Sequence, residues 1–454
     1  MPREKLDYYL SSGYDRSDIV GTSFLELQYE NVLRGQKAVV NSLTTSAGGE
    51  TIEKSVIEQL GKRGNDLVLA LDMELQQVVE KAIDKEIKEA GNSFVKDRSA
   101  YATFMDPRTG DILSMAGFWD PAGSDQTTTS NHIGNVNKSF EMGSSVKAAS
   151  VLTGFQSGVT SPGTKFHDRP IHLPGAPTMS SYKNFGWVDD RRALEVSSNV
   201  YMFEIGMRMA GCYNPSTCSF PKLEEAYSQV RYNFSQFGLG VETGIDLPST
   251  ATGLTGGTAL PGKLAYLMIG QFDTYTPLQL VQYIATIAND GYRMKPRLVT
   301  EIREPVSDRD DQGAVMQKFE PSILNRIDMK DAHIDRVKQG LRDVVTKGTA
   351  SSRFANAPYQ LAAKTGTAQV SVTVGEGSSR RSVEGNTHTF VGYAPYKNPE
   401  IAFAVVVPNV KLDSRGGTQG IAQDIAKDIL DAYFEMKTVR NGPQKADQPV
   451  LEDM

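Results

Sequence analysis

The apolar positions that follow residue 66 predict a strand and then a helix. Residues 67–71 form an uninterrupted apolar run, which is typical of a buried strand. From Leu75 to Ile87 apolar residues then recur at helical spacing. Asp72 stands between the two segments, where a helix N-cap is expected. The pattern therefore predicts a strand–helix unit at this point.

Two further pairs of apolar segments predict β-hairpins. Residues 100–106 and 111–116 flank the turn sequence Pro-Arg-Thr-Gly at 107–110. Near the other end, residues 389–394 and 401–407 flank Tyr-Lys-Asn-Pro at 396–399. A helical pattern from Ile421 to Phe434 follows the second pair.

Between the hairpins, residues 147–345 are mostly helical in pattern, with loops rich in glycine and proline. Residues 278–289 and 334–345 are two such helices. Strands collected at both ends and helices in the middle indicate an α+β fold, because a repeating strand–helix order would alternate throughout.

The domain organisation is predicted from a change of pattern near residue 62. Residues 6–59 are polar and mixed, and 61–66 are rich in turn formers. We therefore expect a small domain over 1–62, a large domain over 63–437 and a mobile polar tail over 438–454.

Composition and charge then exclude several classes of protein. The 454 residues contain 48 Lys and Arg against 54 Asp and Glu, a net charge of −6, so nucleic acid is not an expected partner. Apolar runs such as 401–407 are far shorter than the roughly 20 residues that span a bilayer. The first twenty residues lack a secretory signal pattern, but a chain trimmed behind a membrane anchor would look the same.

Cysteine and histidine usage predicts no metal site and no cofactor. Cys212 and Cys218 lie six residues apart with no histidine close by in sequence, so a local disulfide and two free thiols are equally open. The five histidines are scattered, and surface or structural roles are the default for them.

The most informative motif is Ser144-Ser-Val-Lys147, which leads into an apolar helix. Three-residue spacing places Ser144 and Lys147 on one helix face, where a lysine of lowered pKa can activate a serine. Ser-x-x-Lys is nevertheless common by chance, and an N-cap serine with a solvated lysine is the favoured explanation of this motif taken alone.

Two later motifs change that weighting. Ser197-Ser-Asn199 places a hydroxyl and an amide two residues apart, and Lys364-Thr-Gly-Thr367 follows the strand-like residues 359–363. On a strand Thr365 and Thr367 would face one side, and Gly366 would let a substrate backbone lie against the edge. All three motifs, in this order over about 220 residues, are a strong joint indication of serine acyl transfer.

With these motifs the chain resembles the penicillin-recognising serine acyltransferases, and most closely the class B, monofunctional penicillin-binding proteins. The resemblance covers about residues 65–437, including segments 237–246 and 269–279. It implies an antiparallel sheet sandwiched by helices, an all-helical lobe and, over 1–62, the remnant of an N-terminal pedestal or dimerisation domain. It also implies a bacterial membrane protein with its catalytic domain on the extracytoplasmic face, here an ectodomain without its anchor.

The resemblance also implies a role for each motif residue. Ser144 would be the nucleophile and Lys147 its base, with Ser197 relaying a proton and Asn199 holding Lys147 and the substrate amide. Lys364 would supply positive charge, and the Thr365-Gly366-Thr367 segment would bind the terminal carboxylate of the substrate. Backbone N–H groups of Ser144 and Thr367 would form the oxyanion hole.

The function implied is a peptidoglycan D,D-transpeptidase that acts on stem peptides ending in D-Ala-D-Ala and is acylated by β-lactams. Its partners would include other membrane proteins of wall synthesis. The alternatives are a non-catalytic sensor acylated by β-lactams, a D,D-carboxypeptidase or β-lactamase relative, and a structural recruiter. The motif Ser-Ser-Asn at 197–199, in place of Ser-Asp-Asn, and the absence of an identifiable deacylating Glu weigh against β-lactamase activity.

Overall fold

A computed structural model of the chain describes residues 3–47, 50–120, 129–173, 177–258, 260–306, 311–375, 377–412 and 420–441. Within these ranges the helices are, in chain order, α1 (Leu6–Ser11), α2 (Phe24–Gln28), α3 (Glu30–Leu33), α4 (Met73–Ala90), α5 (Gly134–Asn137), α6 (Lys147–Gln156), α7 (Asp190–Glu195), α8 (Asn199–Met209), α9 (Leu223–Gln236), α10 (Pro261–Leu267), α11 (Pro277–Ala288), α12 (Asp331–Thr346), α13 (Ser351–Phe354) and α14 (Ile421–Asn441).

The strands in the same ranges are β1 (Val39–Ala47), β2 (Glu50–Gln59), β3 (Asp66–Leu69), β4 (Arg98–Met105), β5 (Ile112–Asp120), β6 (Thr129–Ser130), β7 (Phe166–Asp168), β8 (Gly186–Val188), β9 (Tyr292–Met294), β10 (Val299–Arg303), β11 (Val315–Lys318), β12 (Ile323–Arg326), β13 (Ala362–Val374), β14 (Arg381–Ala394) and β15 (Ile401–Lys411). No helix in the described part of the chain is both long enough and apolar enough to cross a membrane.

The chain divides into two compact units, and the smaller one comprises Met1–Ala70, Ile245–Ser249 and Arg297–Glu320. It contains α1–α3, the antiparallel pair β1–β2 and a three-stranded sheet in the order β11-β10-β3. Asp246 secures this sheet, since its carboxylate accepts the backbone N–H groups of Leu298 and Val299 at 2.7 and 2.9 Å. The hydroxyl of Tyr29 donates to the same carboxylate at 2.9 Å.

The smaller unit differs from the domain predicted over 1–62. It extends to Ala70 and includes two segments that the sequence analysis assigned to the large domain. The strand predicted at 67–71 forms as β3, but it is half-buried rather than buried, because it pairs with β10 in this small sheet. A pairing between segments more than 200 residues apart leaves no local pattern in the sequence.

The larger unit is built on a six-stranded antiparallel sheet in the order β13-β14-β15-β4-β5-β6. Both predicted hairpins are confirmed as the pairs β4–β5 and β14–β15. Helices α4 and α14 pack against the sheet through Ile83, Ile425 and Ile429, all fully buried. The wholly buried helix α11 also packs on the sheet, against β4, β14 and β15. The predicted α+β class, with a sheet between helices, is confirmed.

Local capping explains where the two central helices begin. Asp72 accepts hydrogen bonds from the N–H groups of Glu74 and Leu75, both at 3.1 Å, so the predicted cap of α4 is confirmed. Thr276 and Gln279 form a reciprocal capping box at the start of α11.

Two boundaries in the larger unit differ from those predicted. Strand β13 begins at Ala362 rather than at 359, because Gln360 has a φ of 45° and interrupts extended backbone. Helix α14 continues to Asn441, four residues into the predicted tail, and the rest of that tail lies outside the described residues.

Candidate active site

Ser144 lies in a short 3₁₀ turn, Gly143–Val146, that continues directly into α6. Gly143 has a φ of 56°, and a Cβ there would lie 2.5 Å from the carbonyl carbon and oxygen of Thr367. Only glycine meets both conditions without strain. The turn that carries Ser144 is therefore pressed against β13.

Gly366 on β13 allows the same close contact between this strand and the turn that carries Ser144. A Cβ on Gly366 would lie 2.6 Å from the carbonyl oxygen of Met142 and 2.9 Å from the N–H of Ser145. The hydroxyl of Thr389 also donates to this Met142 oxygen, at 2.8 Å. The sequence analysis attributed Gly366 to contact with a substrate backbone. The structure adds a second reason, because the turn that carries Ser144 occupies the space beside this glycine.

Lys147 is fully buried, and its ammonium group is directed at the second motif. Nζ donates to the carbonyl oxygen of Ser197 at 2.7 Å, to the Ser197 hydroxyl at 3.2 Å and to Oδ1 of Asn199 at 2.6 Å. Side chains three residues apart in a 3₁₀ turn lie above one another, so Ser144 is on the same side as Lys147.

Lys364 reaches the Ser197 hydroxyl from β13. Its Nζ, also fully buried, donates to Ser197 Oγ at 3.0 Å and to the carbonyl oxygen of Thr365 at 2.9 Å. The Ser197 hydroxyl is therefore shared by two buried lysines. The first, second and third motifs meet at this one atom.

Burial lowers the pKa of both lysines, because a buried ammonium loses its hydration. The pKa of Lys147 falls well below its ordinary value, first through burial and then through the neighbouring charge of Lys364, while the charge of Asp168 partly opposes the shift. Burial alone lowers the pKa of Lys364 to about 7. Burial and the charge of Lys364 therefore both favour the neutral form of Lys147, which is the form that a general base requires.

Thr365 and Thr367 alternate with buried residues along β13, and both are half-buried. They share one side of the strand, as the sequence predicts. The hydroxyl of Thr365 lies 2.8 Å from that of Thr349, a residue that follows α12. Thr349 therefore fixes the position of one of the two threonines.

The loop at 197–199 is held by a buried carboxylate. Asp168 on β7 is 1% exposed, and its Oδ2 accepts from the hydroxyls of Ser198 and Ser181. Ser181 Oγ in turn accepts from the N–H of Asn199 at 2.9 Å. Ser197 itself has a φ of 58°, a strained conformation for a serine, which these contacts around it can maintain.

Comparison with known proteins identifies the family to which the chain belongs. A model described as the penicillin-binding protein transpeptidase domain matches residues 100–431, and one described as the penicillin-binding protein dimerisation domain matches residues 1–69. The chain belongs to the penicillin-binding protein transpeptidase family. The resemblance read from the three motifs is confirmed.

Individual relatives of this penicillin-binding protein agree. It is 44% identical to penicillin-binding protein 2A of Bacillus subtilis, over 100% of this chain and 63% of the relative. It is 27% identical to the peptidoglycan D,D-transpeptidase MrdA of Acinetobacter baumannii, over 96% of this chain and 63% of the relative. A solved structure of penicillin-binding protein 2B from Streptococcus pneumoniae superimposes with a TM-score of 0.83 at 31% identity, covering 98% of this chain and 71% of that one. The chain thus spans less than two thirds of the length of these curated relatives.

Sequence reasoning missed the residues that support the motifs of this penicillin-binding protein. Asp168, Ser181 and Thr349 contact motif residues but stand in no recognisable pattern of their own. Cys212 and Cys218, left open by the sequence, are joined in a disulfide.

The charge of Lys364 makes a testable contribution to the pKa of Lys147. Removing that charge in Lys364→Met should raise the pKa of Lys147, since one cause of its lowering is lost. If neutral Lys147 is the base for acylation, as the resemblance implies, the acid limb of the pH–rate profile should move to higher pH. The measurement is the second-order rate of acylation by a β-lactam between about pH 4 and 10, a range that spans the pKa values of typical catalytic bases.

Lys338→Met is a matched control, because Lys338 is also buried but is paired with Asp290. Its acid limb should stay where the unaltered protein has it. An acid limb that does not move in Lys364→Met would show that the two lysines are not coupled.

Proposed function

We propose that this chain is a peptidoglycan D,D-transpeptidase that cross-links stem peptides through an acyl-enzyme on Ser144. The observation that carries the proposal is the buried Lys147, of lowered pKa, which is hydrogen-bonded to Ser197 and Asn199 and follows Ser144 by three residues on the same turn. A relative that is 27% identical over 96% of this chain is named a peptidoglycan D,D-transpeptidase, which agrees with the proposal.

The first half-reaction forms the acyl-enzyme. Neutral Lys147 takes the proton of the Ser144 hydroxyl as its oxygen attacks the carbonyl carbon of the penultimate D-Ala. The carbonyl oxygen, now negative, is bound by the backbone N–H groups of Ser144 and Thr367. The contact between the Ser144 turn and Thr367 agrees with this placement.

Collapse of the tetrahedral intermediate breaks the peptide bond and releases the terminal D-Ala. The leaving amine needs a proton, and the Ser197 hydroxyl, bonded to both lysines, is placed to relay it from Lys147. Asn199 holds Lys147 through Oδ1, and its side-chain amide donates to the carbonyl oxygen of Ser180 at 3.3 Å. In the proposed mechanism the second N–H of that amide binds the substrate amide.

The second half-reaction transfers the acyl group to an amine of a neighbouring strand. Lys147 accepts the proton of that amine as its nitrogen attacks the ester, and Ser144 regains its hydrogen. In a β-lactam the broken amide lies in a ring, so the leaving nitrogen stays attached and blocks the acceptor. Slow release of the adduct is therefore expected.

Two alternatives share the same three motifs. A sensor would be acylated by β-lactams without turning over peptide, and a D,D-carboxypeptidase would hydrolyse its acyl-enzyme with water. Asp168, a buried carboxylate that contacts the second motif, is already bound to two serine hydroxyls, so it supports the loop rather than activating water. This favours transfer to an amine over hydrolysis.

The decisive assay supplies a peptide ending in D-Ala-D-Ala together with an acceptor amine. We expect release of D-Ala with formation of a new amide, both prevented by prior treatment with a β-lactam. Acylation without D-Ala release would indicate the sensor, and D-Ala release without amide formation would indicate the carboxypeptidase.

We also propose an extracytoplasmic location, as in the resemblance, with the disulfide of Cys212 and Cys218 as support, because such bonds persist in oxidising compartments. The segment 1–62 is proposed to belong to the pedestal or dimerisation domain and to contact other membrane proteins of wall synthesis. The match to a dimerisation domain over residues 1–69 supports this assignment.

Thr367 has two proposed functions that can be tested separately: its hydroxyl binds the carboxylate, and its backbone N–H forms part of the oxyanion hole. Thr367→Val keeps the backbone N–H and the branched shape but removes the hydroxyl. Acylation by an anionic β-lactam should slow by about ten- to a hundredfold, the effect of losing one hydrogen bond to a charged group. Second-order acylation rates measure this directly.

An ester of the same β-lactam provides the control, because it lacks the carboxylate. It should acylate Thr367→Val and the unaltered protein at similar rates. Equal slowing of the ester and the anionic compound would mean that the hydroxyl does not bind the carboxylate.

A further inference from the structure

A two-stranded ribbon lies beside the second motif and has two different faces. Strands β7 and β8 pair antiparallel, with Phe166 opposite Val188 and His167 opposite Trp187. Phe166, Asp168 and Val188 point inward and are buried, while His167 and Trp187 point to solvent. The alternation of a strand therefore separates a structural face from an exposed one.

The exposed face carries a cluster of aromatic rings. Trp187 is 69% exposed, and its ring centroid lies 5.2 Å from that of His167. Tyr182, in the segment that leads into β8, is 73% exposed and lies 5.2 Å from the half-buried Phe185. We call His167, Tyr182, Phe185 and Trp187 the aromatic rim.

The aromatic rim is continuous with the candidate active site. The carbonyl oxygen of Ser180 accepts from the side-chain amide of Asn199 at 3.3 Å, and Ser181 accepts from the Asn199 backbone. Tyr182 is the next residue along the chain. The first rim residue after this contact, Tyr182, is therefore adjacent in sequence to Ser181, which binds Asn199 of the second motif.

The inner face of the ribbon fixes the rim to that motif. Asp168 binds the hydroxyls of Ser181, which precedes the rim residue Tyr182, and of Ser198, which lies in the loop at 197–199. The ring of Phe166 packs 5.0 Å from that of Tyr201 on α8, the helix that begins at Asn199. A ligand held on the rim would be held at a constant position relative to Asn199.

We propose that the aromatic rim binds sugar rings of the glycan strand that carries the stem peptide. The proposal rests on the proposed function, since it extends the substrate beyond the peptide that Ser144 attacks. The C–H faces of a pyranose ring are apolar and flat, and they match exposed tyrosine and tryptophan rings, which combine an apolar face with a polar edge. Large exposed aromatics that add nothing to a core are typical of recognition surfaces.

The polar surroundings of the rim fit the same ligand. Lys165 and Arg169 flank His167, and Lys183 follows Tyr182; all three are exposed. Their N–H groups can donate to sugar hydroxyls and to the carbonyl oxygens of N-acetyl groups. The terminal carboxylate of the stem peptide already has a proposed site at Thr365 and Thr367 on β13. A sugar ring is thus the part of the substrate that the rim suits.

The test is binding of peptide-free glycan oligomers to the whole chain, measured by isothermal titration calorimetry. Trp187→Ala and Tyr182→Ala should each weaken binding by about tenfold, as expected for loss of one aromatic contact. Trp187→Phe should retain most of the affinity. Tyr232→Ala removes an aromatic of α9 that is 62% exposed, and should leave both glycan binding and β-lactam acylation unchanged.

Unchanged glycan affinity in both rim variants would overturn the inference. So would a loss of affinity seen only with peptide-bearing strands, because the rim would then bind peptide. A failure of the proposed function is seen separately, as absence of acylation of the unaltered chain at Ser144, whatever the glycan affinity.

Discussion

Replacing Ser144 with alanine should abolish acylation by β-lactams and formation of the peptide acyl-enzyme. The hydroxyl supplies the atom that forms the bond, and no other group on the same turn can replace it at the proposed position. Intact-protein mass spectrometry after incubation with a β-lactam should show one adduct on the unaltered chain and none on Ser144→Ala.

The fold should survive this substitution. The turn is held by contacts that do not involve the Ser144 hydroxyl, including the hydrogen bond from Gly143 N–H to the Gly270 oxygen at 2.9 Å and that from Thr389 to Met142. Ser145→Ala is the matched control: it removes the neighbouring hydroxyl, which is buried and donates to Met142 at 2.8 Å. Stoichiometric labelling of Ser144→Ala would show that another residue is the nucleophile.

Lys147→Arg should impair acylation almost as severely as Lys147→Ala. Loss of a positioned general base typically costs about 10²- to 10⁴-fold in rate, and a guanidinium keeps its proton at all accessible pH values. Arginine would restore the charge without restoring the base. Stopped-flow acylation with a chromogenic β-lactam measures both rates.

Chemical rescue separates loss of the base from loss of structure. Lys147→Ala opens space at a buried site, and a small neutral amine should partly restore the rate with a dependence on its concentration. Melting temperatures will fall to some extent, since Ser197 and Asn199 lose their donor. A near-normal rate in Lys147→Arg would remove Lys147 from the role of base.

The elements that the sequence predicts well are those fixed by local contacts. The Asp72 cap, the spacing of apolar residues in α4 and the turn of the β4–β5 hairpin are each encoded within a few residues. Their formation depends on hydrogen bonds and side-chain faces that the local order of residues determines. The three motifs are local in the same sense, so the resemblance identified their residues directly.

The features that the sequence did not predict, such as strand partners and burial, depend on contacts between distant segments. Strand β3 was expected to be buried, but it pairs with β10, and the smaller unit takes in two segments from far along the chain. Asp168 is also invisible as a site residue until Ser181 and Ser198 are brought to it. Such contacts arise when the chain packs, and no regular spacing of residues in a single sequence indicates them.

Gly366 shows which part of a prediction about a glycine can come from the sequence. The motif marks it as special, and the sequence suggests close approach by a backbone, which the structure contains. The approaching backbone is that of Met142 and Ser145 in the same chain. Which backbone approaches a glycine is a property of the packed structure.

The most direct test of the account is mass spectrometry of the chain during turnover of a stem peptide ending in D-Ala-D-Ala. The account predicts an increase equal to the donor peptide minus its terminal D-Ala, mapped to the proteolytic fragment containing Ser144. Addition of an acceptor amine should remove the adduct and yield an equal amount of cross-linked product. An adduct on another residue, or product formed with undiminished yield by Ser144→Ala, would contradict the account.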